Sequence, residues 1–176
     1  IVAIRGHWAE TSIDWAFTTA ITSACPTEGS PDSTCPELPV TRDEMAQFMW
    51  RSKGQPTPTT TAGFEDVAPG ATYNTAVDWL AEQEITLGCT TTTYCPDGTV
   101  TRAEMAAFLW RLEGSPEGSA PAGFGDVPDG AFYDDAADWL LTSGVTTGCT
   151  ASSYCPQGLV SRAEMFTFLK RLDALA

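Results

Sequence analysis

Thr101-Arg102-Ala103-Glu104-Met105 is the most informative stretch of the sequence, because the same five-residue pattern occurs three times at a spacing of 60 residues. Thr41-Arg42-Asp43-Glu44-Met45 lies 60 residues before it, and Ser161-Arg162-Ala163-Glu164-Met165 lies 60 residues after it. Around the last two copies, Ala62–Leu112 aligns with Ala122–Leu172 without a gap. A self-similarity of this period is typical of repeat architectures, so the chain is predicted to contain three copies of one unit.

Each copy is predicted to be a helix, a loop and a second helix. Thr101 and Glu104 have the spacing of a capping box, which marks the start of the second helix. The apolar residues that follow fall on one helical face: Met105, Phe108, Leu109 and Leu112. We expect the first helices near Thr11–Thr19, Thr75–Glu84 and Asp135–Thr142.

Two short helices cannot bury their apolar faces alone, so the copies are expected to pack together. Trp50 and Trp110 add a second apolar flank to the second helix, and Lys170 takes this place in the third copy. This flank favours a central bundle of three second helices. The prediction is one cooperative all-α domain with three prongs around a pseudo-threefold axis.

The repeats are predicted to span residues 1–54, 62–113 and 122–176, with linkers at 55–61 and 114–121. The linkers are rich in Pro, Gly, Ser and Thr, which cannot continue a helix. A bare spacer is favoured for the first linker over one that carries O-linked sugar. The first copy lacks the opening seen at Phe64 and Phe124, so we expect the chain start to cut into it and the chain to derive from a longer precursor.

The composition excludes several classes of function. Lys+Arg is 9 and Asp+Glu is 23, which gives a net charge of −14 that repels nucleic-acid phosphates. No apolar run approaches the roughly 20 residues of a membrane span. His7 is the single histidine, which excludes a multi-histidine metal site, and no metal or cofactor is expected.

The six cysteines are expected to pair within each repeat, because one solution then serves all three copies. The alternative is a zinc site. This alternative is disfavoured because five or nine residues separate the paired cysteines and because the chain has a single histidine. Persistent disulfides indicate an oxidising, extracytoplasmic location. The predicted pairs are Cys25–Cys35, Cys89–Cys95 and Cys149–Cys155.

Arginine follows the helix cap in all three copies, at Arg42, Arg102 and Arg162. A helix N-terminus carries partial positive charge and disfavours a cation there. One interpretation is an ion pair with the arginine's own Glu or with a carboxylate of the next repeat, such as Asp66 or Asp126. The other is an anion site in which the guanidinium grips a ligand carboxylate through two hydrogen bonds. Both interpretations stay open.

Aromatic and glycine positions could complete such a site. Gly88 and Gly148 indicate a left-handed turn or a close backbone approach, whereas the first copy has Ala24. We therefore expect Arg102 and Arg162 to contribute more to binding than Arg42. Sugars stack on flat rings, although tryptophan at helical spacing is more often core; the candidate platforms are Trp8, Trp15, Trp79 and Trp139.

Together these residues resemble the S-layer homology family, over essentially the whole chain as three tandem motifs. Phe64-Glu65-Asp66-Val67 resembles the family's opening, Ile85-Thr86-Leu87-Gly88 its turn, and Thr101–Met105 its most diagnostic stretch. Gly6-His7-Trp8-Ala9 resembles the start of its first helix. The paired cysteines depart from the usual motif, so the chain is identified as a cysteine-containing variant.

The resemblance implies a pseudo-trimer with a central helical bundle and non-covalent attachment to secondary cell-wall polysaccharide, often bearing pyruvylated sugars. It implies that Arg42, Arg102 and Arg162 meet the pyruvate carboxylate in grooves between prongs. The resulting hypothesis is a non-catalytic anchoring module in the extracellular cell wall. Its partners would be an anionic wall polysaccharide and a fused or associated surface protein.

Three alternatives remain beside this hypothesis. A structural module could make protein contacts in a surface layer or appendage without glycan, which exposed Phe132 and Phe166 would favour. An enzyme is disfavoured, because the adjacent Asp134 and Asp135 would face apart on a helix. A calcium role for Asp126, Asp129 and Asp134 lacks the EF-hand spacing.

Overall fold

The computed structural model describes residues 5–23, 25 and 34–176. The described residues form six helices and only isolated β-bridges, so the predicted all-α class is confirmed. None of these helices has both the length and the apolar character needed to cross a bilayer. The helices are α1 (Glu10–Thr18), α2 (Arg42–Ser52), α3 (Asn74–Glu82), α4 (Arg102–Leu112), α5 (Asp134–Thr142) and α6 (Arg162–Asp173).

The second helix of every repeat begins at the predicted cap. In α4 the backbone N–H of Thr101 donates to Glu104 Oε2 at 2.9 Å, and the N–H of Glu104 donates to Thr101 Oγ1 at 3.3 Å. The same reciprocal capping box opens α2 and α6. These bonds satisfy backbone donors that have no partner within the helix.

Each prong is built from two different repeats. α3 of the second repeat packs on α2 of the first, and α5 of the third packs on α4 of the second. α1 of the first repeat completes the cycle by packing on α6 of the third. The linkers 55–61 and 114–121 therefore join the two helices of one prong, and a single repeat contains no complete prong.

A closed ring of backbone hydrogen bonds defines the pseudo-threefold axis. The N–H of Val40 donates to the carbonyl of Val160 at 2.8 Å, Val100 donates to Val40 at 3.0 Å, and Val160 donates to Val100 at 3.0 Å. All three valines are fully buried. Because each repeat supplies one donor and one acceptor, the ring requires all three repeats.

The centre of the bundle corrects one prediction. Phe166, a candidate exposed residue of the structural alternative, is instead 0% exposed and packs edge-on against Phe48 with ring centroids 5.1 Å apart. The equivalent residues, Ala46 and Ala106, are also buried, which leaves room for one large side chain. Phe132, by contrast, is 63% exposed.

The tryptophan side chains on the second helix form hydrogen bonds to the linker that follows it. Trp50 Nε1 donates to the carbonyl of Pro56 at 2.8 Å, and Trp110 Nε1 donates to that of Pro116 at 2.9 Å. These rings therefore contact the chain leaving their own helix, a role that the sequence did not indicate. In the third repeat Lys170 Nζ donates instead to the carbonyl of Thr11, at 3.1 Å.

The predicted disulfides are present, and none of them crosses between repeats. The Cα atoms of each pair lie 5.8–6.0 Å apart. Each bridge closes a short loop and stabilises the fold by about 2–3 kcal/mol in the loop-entropy description. The pairs are Cys25–Cys35, Cys89–Cys95 and Cys149–Cys155.

We expect urea denaturation to show one unfolding transition, because every prong and the valine ring need all three repeats. Residues 122–176 expressed alone should remain unfolded. Circular dichroism and tryptophan fluorescence followed together would check this. Two separated transitions, or a helical, cooperatively melting 122–176 fragment, would contradict the shared core.

Candidate functional site

The three cap arginines lie buried between repeats, each with 3–6% of its surface exposed. Arg102 Nε donates to the carbonyl of Tyr154 at 2.8 Å, and Arg102 Nη1 pairs with Glu164 Oε1 at 2.9 Å. Each arginine thus pairs with the capping-box Glu of the next repeat, not with its own Glu or with Asp66 or Asp126. The equivalent pairs are Arg42–Glu104, at 3.1 Å, and Arg162–Glu44.

These contacts resolve the unfavourable charge at the helix N-terminus. The N–H of Arg102 donates to the carbonyl of Gly158 at 2.8 Å, and the N–H of Ala103 donates to that of Pro156 at 2.9 Å. The next repeat therefore takes up two of the helix N–H groups that the sequence analysis offered to a ligand anion. Glu164 compensates the charge of the guanidinium.

Tyrosine residues that the sequence analysis did not single out support the arginines. Tyr154 is 1% exposed, its hydroxyl donates to the carbonyl of Arg102 at 2.9 Å, and the guanidinium lies 4.9 Å from its ring centroid. Burial raises the pKa of the Tyr154 hydroxyl, against the opposing charge of Arg102. Tyr94 has the same role toward Arg42, and Thr34 replaces it in the first repeat. The recurrent Tyr-Cys-Pro sequence was the available signal.

Asp66 and Asp126 hold the loops that carry these tyrosines. Asp126 accepts hydrogen bonds from the N–H groups of Tyr154 and Cys155, at 2.7 and 2.8 Å. Burial alone would raise the pKa of the Asp126 carboxyl, but these bonds and the charge of Arg102 lower it below its ordinary value.

The calcium alternative finds no support among the described residues. Asp126 uses its carboxylate on the backbone, and Asp134 Oδ2 accepts from the N–H of Gly130 at 2.9 Å. Within the described ranges no group of three or more His, Cys, Asp or Glu side chains could hold a metal ion.

Gly148 and Gly88 occupy tight left-handed turns, with φ of +79° and +82°. A Cβ atom at Gly148 would lie 2.6 Å from the carbonyl oxygen of Ser153 and 2.7 Å from Phe124 Cε1. Any larger residue would therefore be strained and would collide with its neighbours. Ala24, the counterpart in the first repeat, lies outside the described residues.

Of the candidate aromatic platforms, Trp8 is the one that presents its ring to solvent. It is 62% exposed, whereas Trp79 is 8% exposed and lies in the core. Trp15 and Trp139 are half-buried against the core. For these three residues the burial agrees with the core alternative.

The structure brings Trp8, Arg102 and Gly148 together, one from each repeat. They line a cavity of about 130 Å³ with Glu164 and Arg171, which we call the groove. Trp79 and Gly88 do not line this cavity. Arg102 lines the cavity with the glycine turn of the next repeat, and Arg162 contacts the first repeat, which carries Ala24. The premise that each arginine acts with the glycine of its own repeat is therefore wrong, whereas the ranking of the three arginines in binding stays a prediction.

The three arginines differ in how completely they are satisfied. Arg162 Nη2 donates to Thr22 Oγ1 at 3.1 Å. Arg42 Nη2 is buried and has no hydrogen-bond partner among the described residues. A buried donor without a partner is unfavourable, so the contacts of Arg42 are less complete than those of Arg162.

Comparison with known proteins gives the family. A family profile described as the S-layer homology domain matches residues 63–106 and 123–166, in the second and third repeats. This chain belongs to the S-layer homology family. S-layer homology domains are non-catalytic modules that anchor proteins to the cell wall, and the family places this chain at the cell surface.

Similar segments occur in much longer proteins. The chain is 34% identical to endo-1,4-beta-xylanase A of Thermoanaerobacterium saccharolyticum over 90 residues, which is 51% of this chain and 8% of that protein. It is 32% identical over 95 residues, 54% of this chain, both to exoglucanase XynX of Acetivibrio thermocellus and to amylopullulanase of Thermoanaerobacterium thermosulfurigenes. Those matches cover 9% and 5% of the two relatives. The chain thus spans less than a tenth of each relative.

We expect Arg102→Lys to lower the free energy of unfolding by about 1–3 kcal/mol, because the carbonyl of Tyr154 loses its donor and the planar contact with the ring is lost. Urea denaturation would measure the change. Lys53→Arg is the control, since Lys53 pairs with Glu113 at a partly exposed position and should shift stability by less than about 0.5 kcal/mol. Unchanged stability in Arg102→Lys would contradict the interface contacts.

Asp126→Asn should destabilise the protein at pH 7 by about 1 kcal/mol, through weaker hydrogen bonds to the loop. A carboxyl whose folded pKa is depressed stabilises the fold above its unfolded pKa, and this contribution is lost as the pH falls through the folded pKa. The stability difference between wild type and variant should therefore shrink between pH 5 and about pH 3. Asp129→Asn, an exposed control on the same loop, should show little difference at any pH; a gap for Asp126→Asn that is constant with pH would refute the argument.

Proposed function

We propose that the groove binds a carboxylate-bearing sugar of a secondary cell-wall polysaccharide and so anchors the protein that carries this module. The observation that supports this most is the meeting of an exposed Trp8 with Arg102 in one cavity. A tryptophan ring left 62% exposed offers a flat apolar face of the kind on which sugar rings stack.

The charge of the groove favours an anion. Its lining includes two cations, Arg102 and Arg171, and one anion, Glu164, which leaves one positive charge in a chain of net charge −14. In the described contacts Arg102 uses Nε and Nη1, so Nη2 is left for a ligand carboxylate. A guanidinium that is already oriented by the protein loses little freedom on binding.

The three interfaces between repeats are unequal at the position of Trp8. When the three copies are aligned, the residue that corresponds to Trp8 is Thr72 in the second copy and Phe132 in the third. At the Arg42 interface the residue that corresponds to Gly148 is Gly88, whereas at the Arg162 interface Thr22 accepts a hydrogen bond from the arginine. We infer that the Arg102 groove binds most tightly, the Arg42 interface less, and the Arg162 interface least.

A structural role in a surface layer, without glycan, is the second candidate. Phe132 supports it because an aromatic ring 63% exposed can bury itself against a partner protein. The burial of Phe166 removes the other residue on which this alternative relied.

We expect Trp8→Ala to weaken binding of a pyruvylated hexosamine glycoside by about tenfold, through loss of the stacking face. Isothermal titration would measure the affinity, and a pull-down on purified wall polymer before and after mild acid removal of pyruvate would test the polymer itself. Stability should change little, because the ring is exposed.

Leu38→Ala is the matched control, since Leu38 is 44% exposed and does not line the groove. It should bind like the wild type. Equal binding by wild type, Trp8→Ala and Arg102→Lys would overturn the groove. If Phe132→Ala alone disrupted an assembly seen by sedimentation, the structural alternative would replace it.

A further inference from the structure

A second cavity adjoins the groove at Trp8. It has a volume of about 320 Å³ and lies between α1 and α6. We call it the outer cavity; its lining includes Trp8, Thr11, Thr167, Lys170 and Arg171. Trp8, Thr167 and Arg171 line both cavities, so the two are neighbours that share these three residues.

The outer cavity is basic, unlike its counterpart in another prong. No acidic side chain is among its lining residues, although the chain has 23 Asp and Glu. The cavity between α4 and α5 is lined by Trp110, Glu117, Asp135 and Asp138. In the repeat alignment Trp110 corresponds to Lys170 and Asp135 corresponds to Thr11. At these two positions the prong of α1 and α6 has gained a positive charge and lost a negative one.

Lys170 has donors to spare for a ligand. Its ammonium donates to the carbonyl of Thr11 at 3.1 Å, which fixes the side chain across the prong and leaves two of its three N–H groups. Arg171 Nη1 donates to the carbonyl of Val145 at 2.8 Å, so its guanidinium is held beside Trp8. Both cations are therefore oriented before any ligand arrives, which lowers the entropic cost of binding.

We propose that the outer cavity is a second subsite, which binds an acidic sugar unit next along the polymer from the unit held in the groove. Trp8 then stacks between the two units, and Lys170 with Arg171 neutralises the carboxylate of the second. This proposal rests on the proposed function of the groove. It adds a requirement that the groove alone does not impose: two consecutive anionic units.

Three defined probes separate the two sites by isothermal titration. They are a pyruvylated hexosamine methyl glycoside, and disaccharides in which this unit is linked to glucuronic acid or to glucose. In the wild type we expect the glucuronic acid disaccharide to bind about threefold to fivefold more tightly than the glucose disaccharide. This ratio should fall with rising salt, since the cations are partly exposed.

Lys170→Gln should move the ratio toward one while leaving the monosaccharide affinity unchanged, because it removes one of the two cations of the outer cavity and leaves the groove residues intact. Lys53→Gln, which removes an equal charge from the partly exposed pair with Glu113, should leave the ratio as in the wild type. Equal affinity for the two disaccharides in the wild type would overturn the subsite alone. Failure of the monosaccharide to bind would overturn the groove and the subsite together.

Discussion

The structure depends on ion pairs between an arginine of one repeat and a glutamate of the next. Each buried guanidinium reaches across an interface to the capping-box carboxylate that starts the next central helix, and the cycle closes at Arg162 and Glu44. Removing one partner would leave a buried charge uncompensated, which is strongly unfavourable. The valine ring and the shared prongs follow the same cyclic order, so the three repeats form one core.

This arrangement places the candidate binding site on the interactions that hold the fold. Arg102 uses Nε and Nη1 for the tertiary structure and also lines the groove. A ligand there would meet a donor whose position is fixed by Tyr154 and Glu164, so little reorganisation accompanies binding. Substitutions of Arg102 should therefore change stability and binding together, whereas substitutions of Trp8, which is 62% exposed, separate the two effects.

Differences between the repeats distinguish the groove and the outer cavity from the other interfaces of the chain. The cap arginines occupy equivalent positions in the three repeats. A second set of equivalent arginines donates to loop carbonyls at 2.8–3.2 Å: Arg51, Arg111 and Arg171. The groove and the outer cavity combine such repeated residues with positions at which the copies diverge. Trp8 stands where the other copies have Thr72 and Phe132, and Lys170 stands where they have tryptophan. These changes gather aromatic surface and positive charge on one prong of an acidic chain.

The helices, their caps, the disulfide pairs and the family could all be predicted from the amino-acid sequence, because each is a local pattern repeated at a fixed period. Which repeat each arginine contacts became clear from the tertiary structure alone. A capping box predicts where a helix starts, but it carries no information about the residues that pack against that start. The same reason explains why Phe166 was misplaced: its helical position was clear, but the space left by Ala46 and Ala106 at the axis exists only after the three helices have met. It also explains the joining of Trp8, Arg102 and Gly148, which lie on three different repeats and become neighbours through packing alone.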